Sequence, residues 1–208
     1  MDDKRNFGFK QSPLDGNEYV FGAGVQQTIP EKYSLRDFMP PVYNQGDEPI
    51  CVPVSISTYL NWRENLKDGS KKDNKIKYYD IFNVYGQSEG MTFKEAFKHL
   101  RKDGVNSNAG VLKINTYAKI KSAYTLRLAI IMNGPCFGAL PVYNSNADFW
   151  NKQDGDTLLA YHAIAIVGYD KDGFIIRNSW GTSFADKGYT KISIEEMNKF
   201  IELWTVVN

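Results

Sequence analysis

The sequence predicts an α+β fold in which helical and antiparallel β segments are segregated along the chain. From Tyr33 to about Gly104 the signals are mainly helical, and from about Lys113 onward short apolar or alternating runs are split by Asp/Lys/Gly turns. A length of 208 residues with 42% hydrophobic content suits one globular domain made of two lobes around a cleft. The expected layout is an N-terminal arm over 1–30, a mainly helical lobe over 31–112 and a mainly β lobe over 113–208.

Each element has its own reason. Residues 1 to about 30 are rich in Gly, Asn, Gln and Pro with little periodicity, so they read as an extended arm ending near Ile29-Pro30. Two placements are open: across the cleft as a self-inhibitory or regulatory segment, or packed on the back of the lobes. After Cys51, Val52, Val54, Ile56 and Thr58 alternate as in a strand, but Pro53 argues against a central strand and is tolerated in a helix's first turn. Val52, Ile56, Tyr59 and Leu60 also share a helical face, and the segment continues through Trp62-Arg63-Glu64, which selects helix. A thiol in that first turn feels the positive end of the macrodipole, which favours the thiolate.

Thr92-Phe93-Lys94-Glu95 is a capping box, with Phe93, Ala96, Phe97 and Leu100 at helical spacing and Gly104 where a C-terminal cap belongs. His99, near Lys98, Arg101 and Lys102 in this helix, is expected to face solvent. A short helix from Thr125 to Asn133 is stopped by Gly134-Pro135. Ala163 to Tyr169, Gly173 to Asn178, Gly188 to Ile194 and Phe200 to Val207 read as strands of an antiparallel sheet or half-barrel, with turns such as Asp170-Lys171-Asp172-Gly173.

Composition excludes several functions. A net charge of +1, from 25 basic and 24 acidic residues, gives no basis for nucleic acid or an anionic membrane as partner. Lys67, Lys71, Lys72, Lys75 and Lys77 are interspersed with Asp68, Asp73 and Asn74 without aromatics, as in a solvated loop. No signal-peptide stretch follows Met1 to Asn6, and no segment is long and apolar enough to span a bilayer. With only Cys51 and Cys136, a reducing compartment is expected, cytoplasmic or virion-associated, with Cys136 an inert small hydrophobe. Two cysteines and two histidines show no ligand-pair spacing, so neither a metal nor another cofactor is expected. Nothing in the chain specifies an oligomeric state.

The chemistry concentrates in three places. His162 opens an apolar strand, Asn178-Ser179-Trp180-Gly181 closes the next, and an imidazole and an amide can therefore meet across paired strands. Cys51 lies where Asn44-Gln45-Gly46-Asp47-Glu48-Pro49-Ile50 runs into an apolar segment, supplying a nucleophile with a nearby amide donor.

Gln45-Gly46, Cys51, His162-Ala163, Asn178-Ser179-Trp180-Gly181 and Gly188-Tyr189, in that order, resemble the papain-like cysteine peptidases. Pro30, Tyr33, Leu35-Arg36 and Pro41-Val42 are similar to that family's mature N-terminal segment, and Asn133-Gly134-Pro135 to its lead into a strand of the second lobe. The chain departs from the pattern in Ile50, Val52-Pro53-Val54 and a Cys51-to-His162 interval shorter than about 130 to 150 positions. The resemblance implies a papain-like two-lobe fold, with a helical lobe, an antiparallel β-barrel-like lobe and the active site between them, in a compact intracellular, microbial or viral form. It also implies a polypeptide substrate and the roles of the residues.

On that resemblance, Cys51 is the nucleophile, His162 the acid and base, Asn178 the imidazole's orienter, and Gln45 an oxyanion donor with the Cys51 N–H. Trp180 covers the His162–Asn178 bond. Gly90 would pair with the extended substrate, and Met91, Ala139 and Ala163 would line an apolar pocket for the second residue on the acyl side. The alternative is a catalytically inactive binding module on the same scaffold.

Overall fold

The computed structural model describes residues 7–13, 15–22, 24, 26–69, 76–85, 90–107 and 110–207. Its helices are α1 (Cys51–Asp68), α2 (Tyr78–Tyr85), α3 (Phe93–Lys102) and α4 (Ala123–Asn133). Its strands are β1 (Tyr33–Ser34), β2 (Val105–Ser107), β3 (Gly110–Leu112), β4 (Thr116–Lys119), β5 (Cys136–Val142), β6 (Ala160–Asp170), β7 (Gly173–Arg177), β8 (Tyr189–Ile192) and β9 (Glu202–Val207). Seven strands form one antiparallel sheet in the order β4-β9-β5-β6-β7-β8, with β1 on β6. Among the described residues no pairing joins β4 to β8, so the barrel-like lobe is an open sheet.

Helix α1 starts at Cys51 and puts Pro53 in its first turn, where a missing N–H costs nothing. Val52, Ile56, Tyr59 and Leu60 are fully buried, and α1 packs on β6. Asn61, buried inside this helix, has fixed partners. The Asn61 amide donates to the Ser57 and Ile76 carbonyls, both at 2.8 Å, and accepts the Ile76 N–H at 2.9 Å. That clamp ties α1 to the segment leading into α2.

Helix α3 has the expected capping box: Thr92 Oγ1 accepts the Glu95 N–H, and the Glu95 carboxylate accepts the Thr92 N–H. Gly104, at φ +80°, ends it. His99 departs from expectation, being 7% exposed with Nδ1 3.1 Å from the Asp103 carboxylate. A carboxylate one turn on gives the ring a partner, so it can lie down instead of projecting into water. Helix α4 begins two residues before the expected Thr125, because Ser122 and Thr125 form a reciprocal cap. The nominally helical stretch also contains a hairpin, β2 with β3. Of the lysine-rich loop, Lys67 and Lys77 are exposed, whereas Lys71, Lys72 and Lys75 lie outside the described residues.

One continuous apolar core runs from α1 and α3 through β5 and β6 to β9, including Phe93, Phe97, Phe137 and Trp204. Two features join the halves. Buried Arg177 donates to the Pro41 carbonyl at 2.7 Å and to the Tyr189 hydroxyl at 2.6 Å. Residues 43–45 run antiparallel to 179–181, through Gly181 N–H to Tyr43 carbonyl (3.0 Å) and Gln45 N–H to Ser179 carbonyl (2.8 Å). The second pairing sets the glutamine loop against the turn that carries Asn178.

Candidate active site

His162 lies on β6 opposite Leu140 of β5, and Asn178 immediately follows β7, so the antiparallel β6–β7 pair brings them together. His162 Nε2 is 2.7 Å from Asn178 Oδ1, and both residues are buried. With an oxygen acceptor there, Nε2 carries the proton. Asn178 Oδ1 also accepts the Ser179 N–H at 2.8 Å, and the Asn178 N–H donates to the Gly188 carbonyl at 2.9 Å. Gly188 sits at φ +91°, and a Cβ there would lie 2.5 Å from Val42 Cγ1, so this position requires glycine.

Trp180 stacks on the imidazole, ring centroids 4.9 Å apart at 26°. Phe149 closes another side, 5.9 Å from His162 and 4.8 Å from Trp180. Phe149 was not foreseen, because it comes from a loop without periodic pattern. The aromatic walls keep water from competing for the His162–Asn178 bond.

Cys51 is wholly buried as the first residue of α1. Ile50 supplies no capping side chain, so the helix N-terminal amides are not consumed by one. Burial pushes the Cys51 thiol up to about 11, against the opposing pull of backbone donors at Ala163, Val52, Gly8 and Cys51 itself. Burial thus opposes the thiolate that the helix terminus favours. The Ala163 contact sets Cys51 beside the residue that follows His162. Cys136, also free, is pushed up to about 12 by burial, as suits an inert hydrophobe.

Gln45 is buried and oriented at both ends of its amide. Its Oε1 accepts the Ser179 hydroxyl at 2.5 Å, and its Nε2 donates to the Glu48 carbonyl at 2.9 Å, leaving the second Nε2–H for another acceptor. Ala139 and Ala163 face each other across β5 and β6, and both are fully buried. Gly90, at φ +88°, precedes Met91, which is 1% exposed. The cleft itself is occupied. The backbone of the N-terminal arm pairs with Met91, through Met91 N–H to Gly8 carbonyl (2.9 Å) and Lys10 N–H to Met91 carbonyl (3.0 Å). Phe7 lies 5.8 Å from the His162 ring and 6.1 Å from Trp180. Residues 7–10 of the arm thus lie against Met91, His162 and Trp180. Among the described residues no group of His, Cys, Asp and Glu is arranged to hold a metal.

Papain family cysteine proteases match this chain over residues 57–203, and the chain belongs to that family. The matched span includes His162, Asn178 and Trp180 and begins after Gln45 and Cys51. Among curated relatives, a cathepsin L-like proteinase of Phaedon cochleariae is 23% identical over 73% of this chain, and mouse cathepsin K is 22% identical over 88%. The chain spans 56% and 65% of their respective lengths. Xylellain, a cysteine protease from Xylella fastidiosa, superimposes with a TM-score of 0.76 at 20% identity, covering 99% of this chain and 97% of that one. That likeness is one of fold: a papain-like fold of helices and antiparallel sheet. No helix among the described residues is long and apolar enough to cross a membrane.

Proposed function

We propose that this chain is a cysteine peptidase that hydrolyses polypeptides through Cys51 and His162. The observation that carries the reading is the buried 2.7 Å bond between His162 and Asn178, next to a cysteine at a helix N-terminus. His162 Nδ1 takes the Cys51 proton, and the resulting thiolate attacks the scissile carbonyl carbon. The carbonyl π electrons move to oxygen, where the Gln45 Nε2–H and the Cys51 N–H donate to the oxyanion. The C–N bond then breaks as imidazolium His162 protonates the leaving amine, giving a thioester. His162 deprotonates a water that attacks the thioester, and the acid and the free thiol are released.

Asn178 holds the imidazole in one tautomer throughout. A neutral amide suffices because the thiolate balances the imidazolium. On the acyl side, Gly90 and Met91 offer backbone to an extended substrate, and Met91, Ala139 and Ala163 form an apolar pocket for its second residue. Two unbridged cysteines suit a reducing compartment.

Digestion of a peptide library by the wild-type chain, Cys51→Ala and His162→Ala tests this. Cleavage by wild type only, with an apolar residue enriched at the second acyl-side position, is expected. Equal cleavage by all three removes the assignment, and a charged residue dominating that position removes the pocket. Specific peptide capture without cleavage, unchanged in Cys51→Ala, would instead establish a binding module.

A further inference from the structure

We propose that Glu196 is a positioning residue for His162, latching the aromatic wall of the imidazole through Trp150 and Phe149. The proposal rests on the reading of His162 as the base of the peptidase. It starts from the loop between β5 and β6, residues 143–159, which presents Phe149 and Trp150 on one turn. The Asn151 N–H donates to the Asp148 carbonyl at 2.7 Å, and the Tyr143 N–H to the Phe149 carbonyl at 2.9 Å. The two rings pack edge to face, 5.1 Å apart, so they move as a pair. Phe149, fully buried, lies 5.9 Å from the imidazole, whereas the Trp150 indole, 2% exposed, reaches the C-terminal segment.

A buried indole N–H needs an acceptor, and Glu196 Oε1 supplies it at 3.0 Å. Glu196 sits in the short 3-10 helix Glu195–Lys199, where its other oxygen is already committed. Ser193 Oγ accepts the Glu196 N–H at 3.3 Å and donates to Glu196 Oε2 at 3.0 Å, and the Ser193 N–H donates to the same oxygen at 3.3 Å. That reciprocal bonding fixes the carboxylate and aims Oε1 at the indole. Lys199 donates to Glu196 Oε1 at 3.4 Å and to Oδ1 of Asn151, the residue after Trp150. Burial works against the Glu196 charge, but the Asn151, Trp150 and Ser193 donors hold its carboxyl down at about 2, so the acceptor stays ionised well below neutral pH.

The other bonds of the loop do not duplicate this latch. Asn144 Nδ2 donates to the Asn151 carbonyl (3.1 Å) and to the Asp156 carboxylate (2.8 Å), both inside the loop, so these bonds shape it without fastening it. Thr190 Oγ1 fastens it at the Ala147 carbonyl (2.8 Å), two residues before Phe149. The Phe149–Trp150 pair itself is held by Glu196, and by Lys199 through Asn151. Removing the Glu196 acceptor strands the indole N–H, which regains a partner by turning toward water and draws Phe149 off the imidazole. Water then competes for the His162–Asn178 bond.

The test follows the His162 Nε2–H itself. The chain has two histidines, so with histidine isotopically labelled the His162 ring proton is the NMR signal that survives in His99→Gln. Its exchange with water reports opening of the wall and needs no catalysis. Glu196→Ala should speed that exchange about tenfold or more, and should lower kcat on a fluorogenic peptide about threefold or more with KM within about twofold. Glu196→Gln, which keeps an oxygen for the indole, should exchange within about threefold of wild type, and Ser193→Ala, which loosens the carboxylate without removing it, should fall between the two. In Phe149→Leu, where the wall is already broken, adding Glu196→Ala should change exchange by less than about twofold. Asn61→Ala, which breaks the α1 clamp instead, controls for general destabilisation.

The proposal is overturned if exchange in Glu196→Ala stays within about twofold of wild type, if Glu196→Gln matches Glu196→Ala, or if Asn61→Ala speeds exchange as much. Multiplying effects of Phe149→Leu and Glu196→Ala would also overturn it. Hydrolysis by wild type with no exchange response to Glu196→Ala would remove the latch and keep the peptidase reading. An exchange response with no hydrolysis in any form would keep the latch and remove the peptidase reading.

Discussion

Replacing Asn178 by alanine removes the acceptor that fixes His162, and the structure sets the size of the effect. The bond is 2.7 Å long between buried groups, and its donor is an imidazolium in the proposed mechanism, so it belongs with charge-assisted bonds of about 1.5 to 3 kcal/mol. If that energy is expressed only when the ring is correctly placed, kcat/KM should fall about 10- to 160-fold. A second consequence follows from the same oxygen, because it also accepts the Ser179 N–H at 2.8 Å. Stranding that donor should cost about 1 to 3 kcal/mol of stability, or a drop in Tm of roughly 2 to 12 °C for a domain of this size. The assay is steady-state hydrolysis of a fluorogenic peptide by wild type and Asn178→Ala. Asn178→Asp, which keeps an acceptor, should recover part of the loss. A kcat/KM for Asn178→Ala within about twofold of its parent would refute the reasoning, since the imidazole would then be held by its aromatic walls alone.

Other outcomes follow from the same structure. Burial holds the Cys51 thiol at about 11, above the ordinary 9.0, so its contribution to stability is full below pH 9 and is lost as pH rises toward 11. The rate of Cys51 alkylation should accordingly keep rising to about pH 11; a rate that levels off near pH 9 would contradict the burial argument. Asn61→Ala strands both backbone groups of Ile76 and should destabilise the chain by about 2 to 4 kcal/mol in urea unfolding, and a loss under about 0.5 kcal/mol would show that the clamp is dispensable. Gly188→Ala sets a Cβ against Val42 at positive φ and should cost about 1 to 3 kcal/mol, partly restored by Val42→Ala; no recovery in the double variant would place the strain elsewhere.

Much of this molecule was legible from local chemistry. The capping box at Thr92 and the stop at Gly134-Pro135 bounded α3 and α4, because helix ends are written in a few adjacent residues. Pro53 and the Val52/Ile56/Tyr59/Leu60 face decided that Cys51 opens a helix. The meeting of His162 with Asn178 followed from two consecutive antiparallel strands, whose separation the turn at Asp170 to Gly173 sets. What sequence left unread depends on distant partners. Phe149 joins the imidazole's aromatic wall from an unpatterned loop, and Lys94, a polar position in a helical pattern, is buried because Asp15 and Glu18 come to it from the arm. The raised thiol has a similar origin: the helix terminus is a local signal, whereas the burial that pushes the thiol up is a property of the folded chain. Gly8 carries no signal in the sequence and Gly90 carries one only toward a substrate, yet a carbonyl oxygen lies within 2 Å of the Cβ that each lacks.

The central claim is that Cys51 is a nucleophile activated by His162, and covalent trapping tests it most directly. The chain, incubated with an epoxide-type thiol inhibitor and examined by intact mass, should gain one adduct that peptide mapping assigns to Cys51. The same adduct should be lost in Cys51→Ala and slowed strongly in His162→Ala. No adduct on the wild-type chain, or an equal adduct in Cys51→Ala, would contradict the account.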